Sequence, residues 1–435
     1  MKNVHYICTS TKFDQALIML ERQKLWAFDT ETNTLDPHEG NVLLIQIGDE
    51  NDQFVFNCFL LQNKIKDLLK FLKNTGCTLI GHNAKFDYEM IKGHYGIDLD
   101  TWKDTMLAEQ LLNQGKSKVR FNLDAVLEKY LYTNVNKAIT TSFADMKYGQ
   151  DFSEEQINYA AQDVEFLIPL YNKLDSLLSS RSMQNLAALE FGTLVATGDL
   201  EYNGIFINKQ SWLALQGLAE TEAQTIRVKL DTHFNPFCEK DLFGSLSINY
   251  NSPKQISPIL EKICKMKITS TADAALSMHE EEYPVIKDLL EYRRAVKKIS
   301  TYGETFINEN VHPVTDRIHS DFMQLGADSG RFASRNPNMN NIPKQQAYRT
   351  PFQAQDPDWR IISADFSQQE LRLLAHLSRE PRFIEALEKN LDLHCYTGSF
   401  IYNIPYEKFF NADGSRNKEM DIKYRNPVKS INFGK

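Results

Sequence analysis

Three short apolar runs separated by polar turns set the strongest limit on what this chain can fold into: LWAFDTE (25–31), VLLIQIG (42–48) and QFVFNC (53–58). Each has the length and boundaries of a β-strand. The first carries two acids, Asp29 and Glu31, inside an otherwise apolar segment. Side chains alternate across a strand, so these two share one face. Two carboxylates that close repel unless a cation lies between them. Hard divalent ions such as magnesium take carboxylate oxygens. An isolated pair of this kind is more often a solvated strand end, so its weight depends on further acids elsewhere in the chain.

Helical spacing of Ile65, Leu68, Leu69 and Leu72 predicts a helix over 63–74, and another long amphipathic helix is expected over 154–178, with Ser153 as its N-cap. Alternation of strand and helix makes residues 1–180 an α/β domain, with SSRSM (179–183) as a linker. Helical signals dominate from 184. A helix is expected over 185–200, a turn at Asn203-Gly204 leads into IFI, and 209–310 is mostly helical with a basic cluster, YRRAVKK (292–298). Residues 311–343 are turn-rich. RIISADF (360–366) reads as a buried strand and QQELRLLAHLS (368–378) as the helix after it. With 435 residues, two to four domains are expected, and 42% hydrophobic with 24% charged residues excludes a disordered or collagen-like chain. No apolar run approaches the roughly 18 residues of a membrane span, and the start MKNVHYICTSTKF has no leader-like apolar core, so no membrane partner and a cytoplasmic location are expected. The six cysteines lie far apart with no CxxC pair, against a zinc site or a disulfide framework. A net charge of −8 does not favour a nucleic-acid binder, but a protein that holds metal ions with carboxylates carries acids for that purpose.

Two further segments raise the weight of Asp29 and Glu31. In LIGHNAKFDYEMI, Asn83 and Asp87 are four apart and share a face if helical; in INYAAQDVEFL, Tyr159 and Asp163 are also four apart. Four carboxylates suffice for two ions roughly 4 Å apart, which stabilise attack of water on a phosphodiester and the departing oxygen. The ordered set resembles the DEDD 3′–5′ exonucleases, in the variant with Tyr in the third motif. The resemblance implies a ribonuclease H-like fold, with Asp29, Glu31, Asp87 and Asp163 binding two magnesium or manganese ions and Tyr159 orienting the water. It also puts His82 and Asn83 near the primer end.

The second half carries LGADSGRFASRNPNMNNIP (325–343), rich in Arg and Asn, which can read the minor-groove acceptors of DNA. Asp365 ends the apolar run and Glu370 opens the next helix. At the end, Arg425, Lys429 and Phe433 fall at i, i+4 and i+8, a stripe able to hold a triphosphate and stack a base. Taken together these segments resemble family A DNA polymerases. GRFASRNPNMNNIP is similar to the primer-template loop, with Ala333 and Asn340 differing from the usual Ser and Gln. DFSQQELR is similar to motif A, LDLHCYTG to the stretch carrying a nucleotide-facing His, and RNPVKSINFG to the start of motif B. NSPKQISPIL (251–260) and TSTADAAL (269–276), followed by LLEYR, resemble the thumb. The resemblance implies a thumb over about 209–310, an incomplete α+β palm over about 311–390 and the start of fingers over about 391–435, together a polymerase portion at 184–435. It implies that Asp365 binds both metals, that Glu370 is a steric gate against the ribose 2′-OH, and that His394, Arg425, Lys429 and Phe433 meet the incoming nucleotide. Arg331, Asn338, Asn340 and Asn341 are the implied DNA contacts.

Two departures from the family pattern are expected to matter. No 5′-nuclease segment precedes the acids of residues 29–31, and the sequence stops inside motif B, before motif C, so a separate C-terminal polymerase fragment is a candidate partner. The expected function is a DNA polymerase with 3′–5′ proofreading, taking primer-template DNA, single-stranded 3′ ends and deoxynucleoside triphosphates, in replication or repair in a bacterial or phage-infected cell. The alternative is a free-standing exonuclease whose second half only binds DNA, and a third is a DNA-binding scaffold with relict sites.

Overall fold

A computed structural model describes residues 3–133, 142–144 and 146–432. The chain forms two compact units, Met1–Arg360 and Ile361–Lys435. Within the first, six strands form one mixed sheet: β1 (Asn3–Ile7), β2 (Leu25–Thr32), β3 (Val42–Gly48), β4 (Asp52–Asn57), β5 (Thr78–Gly81) and β6 (Trp102–Asp104), in the order β1-β4-β3-β2-β5-β6. The β2–β3 and β3–β4 pairs are antiparallel; the β1–β4, β2–β5 and β5–β6 pairs are parallel. All seven residues of β3 are buried, which is why its apolar run is unbroken rather than alternating. Ile65, Leu68, Leu69 and Leu72 line the buried face of the helix Asn63–Thr75, as their spacing predicts, and join the large core beneath the sheet.

The expected single helix over 154–178 is two helices, Glu154–Glu165 and Leu167–Ser180, broken at Phe166. Pro169 explains the break: it has no N–H to donate, and its ring crowds the carbonyl four residues earlier. Ser153 caps the first helix with a full capping box, accepting from Gln156 N while Gln156 bonds back to the Ser153 backbone. The long helix Gln184–Asn203 follows after three residues.

The remainder of the first unit is helical, as expected. The helices Lys209–Phe234 and Pro284–Tyr302 enclose a small core with Pro253–Cys264. The turn-rich segment adds a two-stranded ribbon of β7 (Ile205–Phe206) with β8 (Arg317–Ile318) and a hairpin of β9 (Asp321–Met323) with β10 (Ala333–Arg335). The second unit carries the helices Gln369–Ser378, Pro381–Glu388, Leu393–Ile401 and Asn426–Asn432. Here one expectation fails. Residues 360–366 form no strand, and Ile362 and Phe366 are 90% and 79% exposed. A strand needs neighbours for its backbone groups; no described strand lies beside this run.

Candidate active site

Strand β2 builds the site by outrunning its neighbour. On one side β3 accompanies it to Thr32; on the other, β5 pairs only with Leu25, Trp26 and Ala27. Asp29 and Glu31 therefore lie past the end of β5, on the same face as Ala27. Ala27 packs against Ile80, Val164, Leu167 and Ile168, so the two helices broken at Phe166 cover that face. Asp163, next to Val164, comes with them. Carboxylate oxygens of Asp29, Glu31 and Asp163 lie within 4.8 Å of one another.

Asp87 enters from the other direction. Strand β5 ends at Gly81, and the chain turns through Asn83 in a left-handed conformation (φ +64°) into the helix Ala84–Tyr95. Asn83 is thus the N-cap and not part of the helix, so the expected shared helical face with Asp87 does not form. A Cβ on Gly81 would sit 2.6 Å from the Ala84 Cβ, so the tight turn requires glycine there. Asp104 fixes this helix start, accepting from Ala84 N at 2.7 Å, while the same carboxylate accepts from Met106 N at 2.7 Å to cap the next helix. Asp87, 2% exposed, accepts from the Thr30 hydroxyl at 2.7 Å. Tyr159 lies one helical turn before Asp163 and is also buried. The His82 ring is tied to Thr105 Oγ1 and the Phe121 carbonyl, each at 2.8 Å.

These acids hold one another out of their ordinary range. Burial, and then the charges of Asp87, Asp163 and Glu31, push Asp29 well up. Burial, followed by Asp163 and Asp87, does the same to Glu31. Asp87 is pushed up to about 7, chiefly by burial, against the opposing pull of the Thr30 hydroxyl. Positive charge among these oxygens removes the conflict, and a donor set made only of carboxylates suits a hard divalent cation. Thr30 and Asp104 are the members that sequence reasoning missed. The signals were present: Thr30 sits between the two acids, and Asp104 directly precedes the helix Thr105–Leu112, an N-cap position.

In the second half, Arg331, Asn338, Asn340 and Asn341 all lie on or just after the β9–β10 hairpin, with Asn340 and Asn341 exposed. Asn338 caps the short turn Met339–Asn341, its side chain accepting from Asn340 N at 3.1 Å. In the second unit Asp365 and Glu370 are exposed. Arg425 is buried and grips Asp392 with both Nε and Nη2, the shortest contact being 2.7 Å. Burial followed by Arg425 lowers His394, and burial followed by Arg425 and Arg416 lowers Lys429. The positive charges of Arg425, Lys429 and Arg416 thus act together on the His394 ring and keep it neutral. Arg416, which no spacing in the sequence singles out, lies 3.6 Å from Asp392. Phe433 lies outside the described residues.

The fold and the acids define an α/β domain with a buried carboxylate cluster, joined to a second, larger region. Residues 4–179 match the family model described as 3'-5' exonuclease, and residues 223–435 match the one described as DNA polymerase family A. The chain belongs to DNA polymerase family A. It is 30% identical over its whole length to DNA polymerase I of Borreliella burgdorferi, covering 47% of that protein. It is 28% identical over 99% of its length to DNA polymerase I of Aquifex aeolicus, covering 71% of that one. Apart from the Aquifex protein, the chain spans about half the length, or less, of the curated relatives it matches. A solved structure, the POL domain of Pol1 from M. smegmatis in complex with DNA primer-template and dNTP, shares the fold with a TM-score of 0.76 at 22% identity, over 99% of this chain and 70% of that one. Among the described residues no helix is long and apolar enough to cross a membrane.

Proposed function

We propose that residues 1–180 form a 3′–5′ proofreading exonuclease and that residues 184–435 are the thumb, palm and initial fingers portion of a DNA-directed DNA polymerase. The observation that carries the reading is the convergence of Asp29, Glu31 and Asp163 within 4.8 Å, with the buried Asp87 completing the set. Asp29, Glu31, Asp87 and Asp163 are the holders of two divalent ions, magnesium or manganese. When bound, such ions supply Lewis acidity on both sides of the scissile phosphate. The chain's own groups do the rest. Tyr159 orients the attacking water, Thr30 fixes the Asp87 rotamer, and Asn83 meets the terminal nucleotide of a single-stranded 3′ end.

In the polymerase portion, Asp365 is a metal-binding acid and Glu370 the steric gate. Arg425, Lys429, His394 and Phe433 meet the deoxynucleoside triphosphate, and Arg331, Asn338, Asn340 and Asn341 follow the primer-template minor groove. The placement of these four on one hairpin and the turn just after it, and the charges of Arg425 and Lys429 acting on His394, support that assignment. The setting is DNA replication or repair in the cytoplasm.

The test is digestion of a 5′-labelled single-stranded oligonucleotide. A ladder shortened from the 3′ end with magnesium or manganese, absent with chelator and absent for the Asp29→Ala, Glu31→Ala double variant, is the expected result. Undiminished digestion by that variant would rule the assignment out.

A further inference from the structure

The β9–β10 hairpin is fastened at three points, two of them on the exonuclease domain and one on the helix Gln184–Asn203. At its base, Lys85 Nζ donates to Asp321 Oδ1 at 3.2 Å, to the Phe322 carbonyl at 2.8 Å and to Glu201 Oε1 at 2.5 Å. The other oxygen of Asp321 accepts from Arg335 Nε at 2.5 Å. Further along, Gln324 Nε2 donates to both the carbonyl and the carboxylate of Glu190, at 2.9 and 2.7 Å. At the tip loop, Gln114 Nε2 donates to the Ala327 carbonyl at 2.6 Å.

The placement of Lys85 is what gives these bonds a meaning beyond packing. It stands in the same first helical turn as Asp87. One rigid turn thus carries an acid of the nuclease site and the cation that seats the hairpin, and Asp321 passes the connection on to Arg335. A cleft of about 900 Å³ runs along the seam, lined by Leu35, Asn83 and Phe86 on one side and by Asp321, Arg335 and Asn336 on the other. The seam is charge-balanced: Lys85 and Arg335 meet Asp321 and Glu201, and burial, then the Glu201 charge, pushes the Glu89 carboxyl up to about 10, which keeps it neutral there.

We propose that Lys85, Asp321 and Gln114 are positioning residues that dock the DNA-reading hairpin on the exonuclease domain, so that duplex DNA held by the hairpin presents its frayed 3′ end to the β2 acids as an intramolecular step. The inference rests on the proofreading function proposed for residues 1–180. Tethering the duplex replaces a bimolecular encounter of the 3′ end with a high effective concentration, which is lost when the tether no longer has a fixed geometry.

The experiment compares kcat/KM for the full chain on two substrates with the same 3′ sequence: a single-stranded 20-mer, and a duplex with three unpaired 3′ nucleotides. The wild type is expected to favour the tailed duplex by about tenfold, and the Gln114→Ala, Asp321→Ala double variant to lose about fivefold of that preference while single-strand kcat stays within about twofold. Gln114→Ala alone removes one hydrogen bond and leaves the salt bridges intact. It keeps the test valid if the double variant misfolds, and should lower the ratio by about twofold. No preference in the wild type, an unchanged ratio in both variants, or equal losses on both substrates would overturn the docking role. Digestion of both substrates by Asp29→Ala at the wild-type rate is a different failure, that of the nuclease assignment itself.

Discussion

Replacing Asp87 with Asn should make the metal-free protein more stable while stopping its nuclease activity. Asp87 is fully buried, and its carboxyl is lifted from an ordinary value of 3.8 to about 7. That lift corresponds to on the order of 4 kcal/mol held against the ionised form. A carboxyl whose folded pKa lies above its unfolded one is charge-strained only when ionised. The strain is absent below about pH 4, grows as pH rises towards 7, and is complete above that. Asn keeps an oxygen to accept from Thr30 and carries no charge. If half of the strain is recovered, about 2 kcal/mol, the melting temperature at pH 8 in chelator rises by roughly 4–8 °C. At pH 5 the gap should shrink to less than half. Adding magnesium should stabilise the wild type, because binding to the folded state alone adds to its stability, and should do little for the variant. The assay is calorimetry in chelator at both pH values, then with magnesium. A variant less stable than wild type at pH 8, or a gap independent of pH, would show that Asp87 is a structural hydrogen-bonding residue and that the acids are not in electrostatic conflict.

Other substitutions probe single links. Tyr159→Phe should slow single-turnover cleavage by about 10- to 100-fold in a protein that still folds, because the orienting hydroxyl is lost. Gly81→Ala puts a methyl 2.6 Å from the Ala84 Cβ, so it should cost about 1–3 kcal/mol in urea unfolding and lower nuclease activity by displacing the Asp87 helix. Burial works to raise the Asp392 carboxyl, but the Arg425 bonds outweigh it and hold it below its ordinary value. The pair's contribution is thus present above about pH 4 and is lost as pH falls further; Asp392→Asn leaves the Arg425 guanidinium with Asp421, 3.9 Å away, as its carboxylate partner and should cost about 1–3 kcal/mol, read as faster proteolysis within 361–432. In a polymerase-active form, Glu370→Ala should raise ribonucleotide relative to deoxyribonucleotide incorporation; an unmoved ratio would leave Glu370 as a helix-entry acid.

The convergence of the acids was legible because their placement is written at short range. Two acids on one strand face and the four-residue step from Tyr159 to Asp163 need only strand and helix periodicity to be read. The Asn83–Asp87 spacing pointed to the right segment by the wrong geometry, since a left-handed Asn83 depends on the Gly81 turn and the Asp104 cap, which lie outside that spacing. Phe166 was missed because an amphipathic pattern continues through a break that Pro169 imposes on the backbone. The 360–366 run was misread because apolar composition reports a tendency to be covered, while a strand also requires partners for its backbone. The hairpin's seat on Lys85 could not be read at all: residues 85, 201 and 321 are brought together only by tertiary folding.

The most direct test of the central claim is anomalous scattering from crystals of the Tyr159→Phe variant soaked with manganese and a short single-stranded oligonucleotide. Two manganese peaks about 4 Å apart are predicted, bounded by Asp29, Glu31, Asp87 and Asp163 with the 3′-terminal phosphate between them. An ordered 3′ end at those acids with no manganese beside it, or manganese bound only elsewhere, would contradict the account.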